Sequence, residues 1–133
     1  MTIVLDCNIW ITLIINDQLD FYGKIRNAGF EIATCTQLRE EIIKVLSRPK
    51  LSRFIKSLAV DKVGEFHDQI TTNYIVDEII EVVTDLDDNY LFALCLKSNA
   101  RFFVTGDKLL LKENPYKNTE IITLSLLKQT LEK

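Results

Sequence analysis

Apolar residues along this chain fall into short contiguous blocks of strand length and longer stripes at helical spacing. Thr2 to Leu5 is a block that runs straight into Asp6, and from Asn8 onward Ile9, Trp10, Leu13 and Ile14 recur as one face of a helix. Leu19, Phe21, Tyr22 and Ile25 predict a second helix over 17–28 that ends at Gly29. Phe30 to Cys35 reads as a strand. Thr36 can then cap a helix from Gln37 to Ser47 with Leu38, Ile42, Val45 and Leu46 inward. A further helix is expected over 61–72, with His67 on the same stripe as Val63, where packing in a core or interface is its expected role. Ile75 to Val83, rich in β-branched residues, reads as a strand leading into Asp85.

The last third repeats the alternation. Asp88 is a good N-cap for a helix carrying Leu91, Phe92, Leu94, Cys95 and Leu96, and Phe102 to Val104 is a buried strand closed by Gly106. Leu109 to Leu111 form a helical turn that Pro115 breaks, Glu120 to Thr123 a last strand, and Ser125 to Leu131 a closing helix. Strands alternating with helices predict an α/β fold, a three-layer α/β/α sandwich on a mainly parallel sheet. Residues 1–133 are expected to form a single domain, with strand C-terminal ends delivered to one edge.

Composition narrows the class without naming it. Hydrophobic residues are 47% and charged residues 26%, an ordinary globular balance. The formal charge of -3 does not advertise a nucleic-acid binder, yet from Lys44 to Lys56 the charged residues are all basic: Lys44, Arg48, Lys50, Arg53 and Lys56. Such a run is either a solvated face or a rail for a phosphate backbone. Cys7, Cys35 and Cys95 lack CxxC spacing and read as buried thiols. The apolar run from Ile3 to Ile15 is broken by Asp6 and Asn8, too short to span a bilayer and without a basic lead, so the expected setting is the reducing cytoplasm, with no membrane contact.

Candidate chemistry lies in the acids. Asp6, Asp88 and Asp107 each fall just past a predicted strand, and Glu41 lies early in a helix that follows one. Singly, each is a turn, cap or helix-dipole residue. Together they are costly, because two carboxylates about 5 Å apart repel by roughly 3 kcal/mol at an effective dielectric of 20. Either their pKa values rise or a cation neutralises them. An oxygen-only set suits Mg²⁺ or Mn²⁺ rather than Zn²⁺. No Walker A loop, GxGxxG or HExxH pattern competes with this reading.

Three stretches, IVLDCNIW, LREEIIKVLSRPKL and DLDDNYLFALCLKSNARFFVTGDKLLL, resemble the PIN-domain family, and within it the toxins of bacterial and archaeal toxin–antitoxin pairs. They occur in the family's order and cover essentially the whole chain. The resemblance implies a Mg²⁺- or Mn²⁺-dependent ribonuclease acting on RNA, expected to be single-stranded, and a cognate antitoxin protein as partner. It matches Asp6, Glu41, Asp88 and Asp107 to the family's metal-holding and catalytic acids. Asn8, Thr105 and Asp85 become supporting polar groups, and Lys44, Arg48, Lys50 and Arg53 candidates to guide the RNA backbone. Glu40, adjacent to Glu41, is the alternative glutamate. Cys7 stands where Thr is usual and Leu109 where an acid is common. Two rival readings stay open: a catalytically silent PIN-fold module that binds a protein, and a DNA-directed nuclease. Trp10 or Phe21 would serve a homodimer contact if exposed, although core burial is the expectation for both.

Overall fold

The computed structural model describes residues 1–55 and 58–132. In chain order the elements are β1 (Thr2–Leu5), α1 (Cys7–Ile15), α2 (Asp20–Asn27), β2 (Glu31–Thr34), α3 (Thr36–Leu46), α4 (Pro49–Ser52), α5 (Val63–Ile70) and β3 (Thr71–Asn73). They continue with α6 (Asn89–Ser98), β4 (Phe102–Val104), α7 (Lys108–Leu111), β5 (Glu120–Ile122) and α8 (Leu124–Leu131). The five strands form one sheet in the order β3-β2-β1-β4-β5, and every neighbouring pair is parallel.

Parallel neighbours need crossovers, and crossovers of this kind are right-handed. The chain steps from β1 to β2 to β3 in one direction, which places α1 to α5 on one face. It then returns over the sheet to β4, which places α6 on the other, where it packs on β1 and β2. The α8 helix comes back to the first face, and its Lys128 lies over the Phe21 ring and bonds Gln18. The result is the expected α/β/α sandwich. Central β1 is buried at every position because helices cover both its faces.

The core is continuous from Ile3 and Leu5 through Leu38 and Ile42 to Phe92 and Phe103. Trp10 sits under the first helical layer, its ring 4.7 Å from both Tyr22 and His67. Both Trp10 and Phe21 are buried, so neither is available for the homodimer contact considered above. The three cysteines are buried free thiols. Gly29 takes φ 94° just past α2, where the amide of Phe30 bonds the Ile25 carbonyl and closes the helix.

Three expectations need correcting. The strand expected over Ile75–Val83 is not one: β3 is the polar segment Thr71–Asn73, taken from the end of the helix expected over 61–72. β2 has four residues, and its last carbonyl, Thr34, is used by the amide of Tyr74. Beyond that β2 offers no further residue to pair with, and Ile75, Ile79 and Ile80 lie exposed in a segment without regular structure. Edge position, not propensity, decided this. Thr36 is the first helical residue rather than a cap, and Cys35 occupies the cap position without a side-chain bond. Lys56, the last of the basic run, lies outside the described residues.

His67 is buried and faces Thr34, whose hydroxyl is 2.8 Å from its Nε2. Burial lowers its pKa, so the ring is neutral at pH 7 and needs that partner. Thr34→Val, nearly isosteric, leaves the ring nitrogen unpaired. We expect it to lower stability by about 1–3 kcal/mol in urea unfolding, with an unchanged m-value.

Candidate active site

The direction of chain progression reverses between β1 and β4, and an open parallel sheet has its natural crevice at such a point, outside the strand C-terminal ends. The register pairs Leu5 with Val104, so the next residues, Asp6 and Thr105, emerge side by side. Thr105 is fully buried; its hydroxyl donates to Asp6 Oδ2 at 2.6 Å and accepts from the Asp107 amide at 3.1 Å. One threonine thus ties two acids on adjacent strands. Asp107 in turn caps α7, with Oδ1 accepting from the Leu109 amide at 2.9 Å.

Glu41 reaches the same edge from α3. Its Oε2 accepts from the Tyr90 hydroxyl of α6 at 2.5 Å, and burial, then the charges of Glu41 and Asp6, push the Cys7 thiol at the start of α1 up to about 12. Glu40 points elsewhere: it is exposed, and its charge acts on Arg39. Glu41 is therefore the glutamate of this group. Asp88 sits at the N-cap of α6 but makes no side-chain cap bond. Instead Asp85 caps the short 3-10 turn Leu86–Asp88, accepting from the Asp87 amide at 3.1 Å. Asp88 closes that turn rather than following the expected strand, and the coil before the turn is held by Asn89. That buried amide accepts from the Val82 and Val83 amides, each at 2.9 Å, and donates to the Val83 carbonyl at 3.1 Å.

These acids feel one another. Burial, then the charges of Asp6, Asp85, Asp107 and Glu41, push the Asp88 carboxyl up to about 6. Asp6 is also raised, first by burial and then by Glu41 and Asp107, while Thr105 and the Cys7 amide pull it back. Arg48 is close enough to oppose the acids' effect on the Cys7 thiol. Lys44, Lys50 and Arg53 are exposed, and Arg53 lies over the Phe54 ring at 4.9 Å. Asn8 is exposed on the first turn of α1. Among the described residues, no three acidic, imidazole or thiol side chains are drawn close enough to form a ready-made cation cage. The acids are instead held singly by Thr105, Tyr90 and the α7 cap, within Coulombic reach of one another.

This donor set fits a hard divalent cation. It is carboxylate oxygen without imidazole, and it carries mutual repulsion that a cation would relieve. A cleft of about 230 Å³ opens beside Asp88 and Asp107, walled by Val82, Val83, Leu109 and Leu110, with Lys112 at its rim. Two larger grooves, about 610 and 590 Å³, lie away from the acids, one between α2 and α8 and one at the N-terminal ends of β1, β2 and β3.

The family model for the PIN domain matches residues 2–109. The chain belongs to the PIN domain family. The matched span holds all four acids, Thr105 and Tyr90. The fold of this PIN domain is also similar to the crystal structure of VapBC2 from Rickettsia felis bound to a DNA fragment from their promoter. That likeness has a TM-score of 0.63 at 15% identity, over 92% of this chain and 98% of the other, and it is one of fold. No curated protein matches this chain. No helix among the described residues is long and apolar enough to cross a membrane.

Tyr90 and Asn89 were not singled out as site residues by their types. Both stand directly after Asp88, so the DDNY run held the signal, but an apolar helix start is the ordinary reading of such a tyrosine.

The raised Asp88 carboxyl makes a signed prediction. Its folded pKa, about 6, exceeds the ordinary 3.8, so the folded state holds its proton more tightly. This group costs no stability below about pH 4, and stability is lost as pH rises from there through 6. Without divalent metal, Asp88→Asn should therefore melt a few degrees above wild type at pH 7.5 and match it at pH 4, in paired thermal melts. A variant less stable at both pH values would mean that Asp88 acts chiefly as a cap.

Proposed function

We propose that this PIN domain is a Mg²⁺- or Mn²⁺-dependent endoribonuclease and the toxin of a toxin–antitoxin pair, acting in the cytoplasm. The observation that carries the reading is the gathering of Asp6, Glu41, Asp88 and Asp107 from four elements at the sheet's switch point, close enough to raise the Asp88 carboxyl to about 6. Asp6, Asp88 and Asp107 would hold the ion, and Glu41 would complete the set or take a proton from the attacking water. The bound ion supplies Lewis acidity, lowering the pKa of water and offsetting charge that grows on the phosphodiester.

The chain's own residues do the rest. Thr105 fixes the Asp6 carboxylate through the 2.6 Å bond and so sets the orientation of its other oxygen. Arg48, whose charge reaches Cys7, is the basic residue best placed to draw a phosphate toward the acids. Lys44, Lys50 and Arg53 extend that positive side along the RNA backbone. The products expected are 5′-phosphate and 3′-hydroxyl ends. Because ion binding must displace the Asp88 proton, cleavage should rise with pH through about 6. A cognate antitoxin would be the partner that covers this acidic edge.

The deciding experiment is cleavage of labelled single-stranded RNA, with single-stranded DNA in parallel, under Mn²⁺ or Mg²⁺. An EDTA arm and an Asp6→Asn/Asp88→Asn double variant complete it. RNA cleavage by wild type alone, abolished by EDTA, is expected. Cleavage confined to DNA would overturn the substrate assignment. Silence on both, together with a melting temperature indifferent to Mn²⁺, would replace the enzyme by a protein-binding module.

The basic rail has its own test. Lys44→Gln/Arg48→Gln should lower the slope of log binding constant against log salt by about 1.4, the single-strand value for two lost phosphate contacts. An unchanged slope would return these side chains to a solvated face.

A further inference from the structure

We infer that Tyr90 is a positioning residue for Glu41, and that its hydroxyl holds the Glu41 carboxylate in the acidic group. This inference rests on the metal-dependent reading above.

The geometry is specific. α3 and α6 lie on opposite faces of the sheet, and both begin at its C-terminal edge. Tyr90 sits in the first turn of α6 with its ring buried, and its hydroxyl spans to Glu41 Oε2 at 2.5 Å. It therefore joins the two helical layers over the end of the sheet.

A glutamate on a helix surface has three rotatable bonds and a solvent shell competing for its oxygens. Held alone, it would spend much of its time away from three other acids that repel it. A donor that is itself buried changes that balance, because the Tyr90 hydroxyl cannot be satisfied without Glu41. Burial and the neighbouring carboxylate push the Tyr90 hydroxyl above its ordinary pKa, so it stays a donor throughout the working pH range. Oε1 is left for an ion or a water. The arrangement also explains why Glu41 and not its neighbour serves, since Glu40 is exposed on the other side of α3.

The role separates from packing in a double-variant cycle. Tyr90→Phe keeps the ring and removes the hydroxyl; Glu41→Gln removes the charge that it holds. Mn²⁺ affinity is read by calorimetric titration and by the Mn²⁺-induced rise in melting temperature, and RNA cleavage is followed as kcat and KM. In the wild-type background, Tyr90→Phe should weaken Mn²⁺ binding about tenfold, the ordinary effect of losing a partner one shell out from a metal, and lower kcat with little change in KM. In the Glu41→Gln background it should change nothing. Tyr90→Met, which also removes the hydroxyl, should show the same dependence, and it serves as the second variant if Tyr90→Phe does not fold. Equal losses in both backgrounds, or no loss in either, would overturn the inference while leaving the metal reading intact. A wild-type protein with no Mn²⁺ response would overturn both.

Discussion

The site depends on the parallel pairing of β1 with β4. Those strands are distant in sequence, and the register that sets Leu5 against Val104 is what lets Thr105 donate to Asp6. A slip of one residue would turn every side chain of β4 to the other face, sending Thr105 and Asp107 away from Asp6. The register is guarded by apolar packing. β1 is buried on both faces, and Phe103 lies edge-on to Phe92 from α6 at 5.7 Å. Hydrophobic fit in the sheet thus controls placement of the charges at its end.

Gathering those charges works against folding. Burial and repulsion raise both Asp6 and Asp88, so the metal-free protein carries an electrostatic load at neutral pH. The load falls on residues at the tips of elements whose bodies are buried in the core, and on buried donors that leave little freedom to relax. Thr105 holds Asp6, Tyr90 holds Glu41, and the Leu109 amide holds Asp107. Asp88 has no such bond, and burial together with the neighbouring acids raises its carboxyl to about 6. It is the acid whose proton an ion must displace.

Legibility in the sequence followed burial. β1, β2, β4 and β5 lie under helices, so their apolar blocks stood out, and the stripes of α1, α2, α3 and α6 were visible for the same reason. The third strand was missed because an edge strand needs only backbone pairing: Thr71–Asn73 has no apolar pattern. The β-branched run that drew attention, Ile75 to Val83, is held instead by side-chain amides, Gln37 on the Val76 carbonyl and Asn89 on Val82 and Val83.

By itself the sequence determined the alternation of strands and helices, the acids that end them and the family to which the chain belongs, because these rest on local periodicity and on short motifs. Tertiary structure decided the strand order, the choice of Glu41 over Glu40, and the bonds from Thr105 and Tyr90 that hold the acids in place. Those outcomes join residues far apart along the chain. They depend on which helix crosses which face of the sheet, and local sequence carries no record of that.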